Sequence, residues 1–149
     1  MSALKQRIDD DVKQAMRARD KERLSTLRLI TAALKQKEVD DRVELDDGQV
    51  LALLDKMARQ YRDSIEQFAK AGRTDLVDKE TGELRVVLNY LPQQLTHEEI
   101  TQLIAITISE AGATGIRDMG KVMGALKPKI QGRADMSAVS EIIKKRLNS

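Results

Sequence analysis

The residues best placed to do chemistry lie between positions 118 and 135, DMGKVMGALKPKIQGRAD, which hold three glycines, one proline, four basic residues and no aromatic. Winding residues 117–130 at about 100° per residue puts Met119, Val122, Met123, Leu126 and Ile130 within an arc of about 100°, a core face. Gly120 and Gly124 fall about 105° and 145° from the centre of that arc. They lie beside Lys121 and Arg117, with Lys127 at the other margin. Each glycine costs a helix about 1 kcal/mol relative to alanine. What it gives in return is bare backbone, and bare backbone flanked by cations suits the close approach of a polyanion. Gly132 and Arg133 then form the turn into another helix N-terminus, where free N–H groups favour anions. The candidate polyanion-binding residues are therefore Arg117, Lys121, Lys127, Lys129 and Arg133, with Gly120, Gly124 and Gly132 as close-approach positions. The competing reading is that this G-x-x-x-G pattern only lets a neighbouring helix pack closely. Lys144, Lys145 and Arg146, in a last helical turn, are better explained by the helix macrodipole.

Other chemistry is excluded by absence. There is no cysteine and only one histidine, so a disulfide framework, a thiolate nucleophile and a thiolate metal site are ruled out. His97 sits at a helix start beside Glu98 and Glu99, an ordinary solvated position. DDRVELDDG (40–48) resembles a calcium loop, but with Gly48 at the sixth place the first and third places are Val43 and Leu45, which offer no oxygen. No G-x-S-x-G, G-x-x-x-x-G-K-[ST] or G-x-G-x-x-G is present. Asp9, Asp10 and Asp11 spread round a helix and cannot converge. The sequence predicts no catalytic residue, no metal ligand and no cofactor.

The elements that must position the basic segment are helical throughout. Leu4, Ile8, Val12, Ala15 and Met16 form one stripe; Leu24, Leu27, Thr31 and Leu34 form a second, with Asp20 between them as an N-cap. The polar segment KEVDDRVELDDG (37–48) breaks the pattern. A long helix follows on Leu51, Leu54, Ala58, Tyr61, Ile65 and Phe68, and stops at Gly72. Thr74 caps a fourth helix on Leu76, Val77, Leu84, Leu88 and Leu91, with a kink or break expected near Gly82. Pro92 ends it. Thr96 and Glu99 form a capping box for a fifth helix that ends at Gly112. A sixth helix runs from about Asp118 to Ile130, and Asp135 caps a seventh on Met136, Val139, Ile142, Ile143 and Leu147. The expected fold is all-α: an N-terminal four-helix lobe, domain 1–92, and a smaller C-terminal three-helix lobe, domain 96–149.

Composition agrees. Charged residues make up 34% of the 149, aromatics 2%, and there are two prolines, a helical profile. Apolar runs are only a few residues long, far short of the roughly 20 that span a membrane, and the amphipathic start MSALKQRIDDDVKQ is no signal peptide. A cytoplasmic location without membrane contact is the expectation. The net charge of +2 is unevenly placed: residues 1–95 hold 18 basic and 18 acidic side chains, whereas residues 113–149 hold eight basic and three acidic. The positive excess coincides with the glycine-rich segment.

Those residues carry a resemblance. DMGKVMG followed by GRAD, together with YLPQQLT (90–96), RDSIEQFAKAGR (62–73) and AMRARDKERLSTLRLI (15–30), resembles the YqeY family, small bacterial proteins sharing the GatB/YqeY domain. The likeness runs over nearly the whole chain. It implies a four-helix lobe followed by a lobe similar to the tail domain that engages tRNA in the GatB subunit of tRNA-dependent amidotransferase. Its tail-like motif falls on residues 119–124 and 132–135. The implied function is a non-catalytic adaptor associated with tRNA or other structured RNA. The alternative is a protein-interaction module binding an amidotransferase or another partner through the N-terminal lobe. A glutamine-dependent carbon–nitrogen ligase, the activity such likeness would transfer, lacks a nucleophile with its base and lacks nucleotide and metal ligands here. Gly82 and Tyr61 depart from the family pattern, the second in a stretch usually more basic.

Overall fold

The computed structural model describes residues 2–148, and its elements are seven α-helices and one 3₁₀ turn, with no strand among the described residues. The fold is all-α. The chain divides into two compact units, Met1–Leu91 and Pro92–Ser149.

The first unit contains α1 (Ala3–Ala18), α2 (Lys21–Asp41), α3 (Asp47–Lys70) and α4 (Thr74–Leu88). Ser2 caps α1 by accepting the Lys5 amide at 3.0 Å, and Asp20 caps α2 by accepting the Arg23 amide at 3.2 Å. α1 lies along α2 and α3 along α4. Ile8, Leu27, Ile30, Leu34, Leu45, Leu54 and Val87 are all at most 2% exposed; burying such a side chain contributes about 1.5–3 kcal/mol.

Three expectations are corrected here. The polar segment 37–48 does not break the pattern at its start, because α2 continues to Asp41 and ends with Arg42 in the left-handed region at φ 55°. Leu45 within that segment is a core residue, fixed by its amide donating to the Glu38 carboxylate at 3.0 Å. Thr74 is the first helical residue of α4 and makes no cap; Arg73 holds the capping position without a side-chain bond. α4 runs unbroken through Gly82, which faces open space, since a Cβ there would meet nothing within 4 Å.

The second unit contains α5 (His97–Ala111), the 3₁₀ turn Ile116–Asp118, α6 (Met119–Ile130) and α7 (Met136–Asn148). The Thr96–Glu99 capping box is present, with the Glu99 amide to Thr96 Oγ1 and the Thr96 amide to Glu99 Oε1, both 3.1 Å. Gly112 closes α5 at φ 64°. Ile104, Val122, Leu126, Ile130, Val139 and Ile143 form the core, each at most 1% exposed.

Candidate nucleic-acid interface

The apolar face read from the sequence of α6 is the one that faces the core. Val122, Leu126 and Ile130 are buried, while Met119 and Met123 pack partly buried against them. Gly120 and Gly124 lie on the other side. Both are exposed, and a Cβ on either would meet nothing within 4 Å. No helix of this unit packs on the G-x-x-x-G strip, so the close-packing reading is corrected: the glycines leave open backbone.

Pro128 makes that backbone barer still. It sits inside α6, and its ring nitrogen carries no hydrogen, so the Gly124 carbonyl four residues earlier has no helical donor from that position. A proline ring also crowds the carbonyl of the fourth residue before it, and glycine there lets the backbone yield.

The cations sort into two groups. Arg117, Lys121 and Lys127 are exposed and, by helical angle, border the glycine strip. Asp118 stands among them: its carboxyl lies below the usual range because it accepts the Thr114 amide at 2.9 Å, with the Gly115 amide and the charges of Lys121 and Arg117 adding to this. Lys129 and Arg133 are engaged elsewhere. Lys129 lies on the opposite flank and pairs with Glu110 of α5 at 3.9 Å; both side chains are largely exposed, so the pair is weak.

Arg133 and Gly132 have structural tasks. Gly132 is buried and left-handed at φ 75°, a conformation glycine adopts without strain. Its carbonyl accepts Gln94 Nε2 at 2.7 Å, and the Arg133 carbonyl accepts the Leu95 amide at 2.8 Å. Arg133 Nε donates to the Gln93 carbonyl at 3.1 Å. The GRAD turn thus holds the segment that enters α5. The α7 N-terminus is also not free for an outside anion, because Asp135 accepts the Ser137 amide at 3.1 Å.

In the first unit, sequence reading overlooked a cleft of about 770 Å³ between the start of α2 and α4, lined in part by Lys21, Arg23, Asp78, Gly82 and Glu83. Its lining mixes both signs of charge. An exposed glycine in mid-helix was the one signal for it. Among the described residues no helix is long and apolar enough to cross a membrane.

Fold and site together define a small all-helical protein with a proline- and glycine-interrupted basic helix in its C-terminal unit. Residues 5–147 match the family model described as YqeY, Yqey-like protein, and the chain belongs to that family. Among its relatives are proteins named "Altered inheritance of mitochondria protein 41, mitochondrial". The one from Pyrenophora tritici-repentis is 33% identical over 143 residues, 95% of this chain and 77% of that protein. The one from Lachancea thermotolerans is 40% identical over 87 residues, 58% of this chain and 46% of that protein. In Kluyveromyces lactis the figures are 38% over 91 residues, 60% and 47%. The chain thus spans about half the length of the last two relatives. By name these relatives are mitochondrial, hence eukaryotic, proteins. The expectation of a purely bacterial grouping is corrected, and the expected cytoplasmic location gains no support from them.

Proposed function

We propose that this YqeY-family chain is a non-catalytic adaptor that holds tRNA or another structured RNA on the glycine strip of α6. The observation that carries the reading is the open space over Gly120 and Gly124, bordered by the exposed Arg117, Lys121 and Lys127. A phosphate backbone can approach peptide groups there to a distance that a row of side chains would forbid. The C-terminal unit holds no Phe, Tyr or Trp, so unstacked bases find no aromatic platform. Recognition rests on shape and phosphate contacts, the usual mode for helical RNA. Lys129 and Arg133 contribute less to this surface than the sequence suggested, Lys129 because it lies on the opposite flank of α6 and Arg133 because its Nε is held by the Gln93 carbonyl.

The test is a gel-shift titration of the full chain against total tRNA at low and moderate salt. Lys121→Ala with Lys127→Ala should weaken binding and flatten the salt dependence by about two counterions. Unchanged binding with an intact fold would remove the surface from consideration.

A further inference from the structure

α2 is apolar on two sides. Leu27, Ile30 and Leu34 are buried in the core of the first unit, yet Leu29 is 49% and Val39 63% exposed. Lys21, Arg28 and Lys35 follow one another at intervals of seven, which an α-helix keeps on one stripe with only about 20° of drift per step. On this outer stripe Leu24 and Leu29 lie at the two margins, while Ala32 continues it between Arg28 and Lys35 and Val39 beyond Lys35. No acid of α2 falls between those margins, but three border them: Glu22 and Asp40 lie about 20° beyond Leu29 and Glu38 about 40° beyond Leu24, with Asp41 farther round. Glu38 is paired with Lys5 at 2.7 Å and Asp41 with Lys37 at 2.9 Å. Among the described residues, Lys21, Arg28 and Lys35 enter no ion pair. The surface also has a hole of its own, a shallow depression lined by Lys21, Leu24, Ser25, Arg28 and Leu29.

We propose that the outer stripe of α2 is a docking surface for an acidic amphipathic helix of a partner protein. The depression would take one aliphatic anchor of that helix, Ala32 and Val39 would receive the next turns, and carboxylates at its flanks would meet Lys21, Arg28 and Lys35. Complementarity of sign decides between partners: a stripe that carries Lys21, Arg28 and Lys35 and no acid between its margins repels a basic helix and attracts an acidic one. The apolar content decides against a bare polyanion. A phosphate backbone has no use for Leu24, Leu29 and Val39, whereas a helix that lays its apolar face down needs anchors at such spacing. Summed over residues 1–95 the charge is balanced, which hides this segregation: residues 13–37 hold eight basic and two acidic side chains. The inference is independent of the RNA reading, which concerns α6.

The test uses the full chain and a fluorescein-labelled, Glu-rich helical peptide with leucines at i, i+4, i+7 and i+11, followed by fluorescence anisotropy. A scrambled peptide of equal composition, polyuridylate and vesicles of anionic phospholipid are the comparison probes. The amphipathic peptide should bind saturably, and the scramble about tenfold more weakly. Leu29→Glu, and separately Arg28→Glu with Lys35→Glu, should each weaken binding about tenfold. Lys56→Glu on α3, a charge reversal away from the stripe, should leave binding unchanged, as should Lys121→Ala with Lys127→Ala. Far-ultraviolet circular dichroism checks the fold; should Leu29→Glu perturb it, the charge reversals carry the test. Equal binding of the scramble, insensitivity to the α2 variants, or loss caused by the α6 variants overturns the proposal. Preferential binding of polyuridylate or of vesicles through the same three cations overturns it as well.

Discussion

Arg133 is tied to Gln93 by a hydrogen bond of 3.1 Å from its Nε to the Gln93 carbonyl. Two motifs that are 40 positions apart in the chain, QQLT and GRAD, therefore meet face to face. The Leu95 amide on the Arg133 carbonyl at 2.8 Å and Gln94 Nε2 on the Gly132 carbonyl at 2.7 Å complete the junction. A basic residue in a glycine turn reads as an anion contact from sequence alone. The fold instead gives its Nε–H to the Gln93 carbonyl.

Arg133→Met should therefore destabilise the second unit by about 1 kcal/mol, the net worth of such a bond. Hydrogen exchange at the Leu95 amide should accelerate with it, and thermal unfolding should shift down. Unaltered Leu95 protection would contradict the assignment of Arg133 to this junction.

The segment between α2 and α3 separates core from surface within two residues. Leu45 is 1% exposed and Val43 45%. Leu45→Ala should cost about 2–5 kcal/mol, as buried leucines do. Val43→Ala should stay within about 0.5 kcal/mol. Chemical denaturation of the two variants measures the contrast, and a loss from Leu45→Ala as small as that expected for Val43→Ala would show Leu45 to be dispensable.

Acid should act on the same region. The Glu38 carboxyl is held below its ordinary value of 4.5, first by the hydrogen bond from the Lys5 ammonium and then by the Leu45 amide. A carboxyl lowered in the folded state adds stability above that ordinary value, and the addition fades as pH falls through the lowered one. The melting-temperature gap between the natural chain and Glu38→Gln should thus be widest near pH 6 and close towards pH 3. A gap that persists undiminished at pH 3 would mean that the ionised Glu38 is not what stabilises.

Much of this was legible in the sequence, and for identifiable reasons. The stripes of α6 and, except for Met16, which is 51% exposed, of α1, the Thr96–Glu99 box and the left-handed Gly72, Gly112 and Gly132 follow from local rules that need no tertiary knowledge. The end of α2 did not, because its last turn exposes Val39, Asp40 and Asp41 and is held from within by Glu38, whose partners Lys5 and Leu45 are fixed by the fold. The Asp46–Gln49 capping box that starts α3 was visible as D-x-x-Q and was lost inside an acidic run. In the candidate site, the position of Gly120 and Gly124 on the open side came from helical angles alone. Which cations remain available did not, since the partners of Lys129 and Arg133 come from α5 and the 93–95 segment.

If α6 holds RNA as proposed, its missing side chains serve the approach of the phosphate backbone. Gly120→Ala together with Gly124→Ala tests it most directly, because a Cβ at either position has room and alanine favours the helix by about 0.4–1 kcal/mol per site. Thermal unfolding and tRNA titration are to be measured on one preparation. The expected result is a higher melting temperature with binding about tenfold weaker, near 1.4 kcal/mol of lost contact. A more stable protein that binds tRNA as well as before would contradict it.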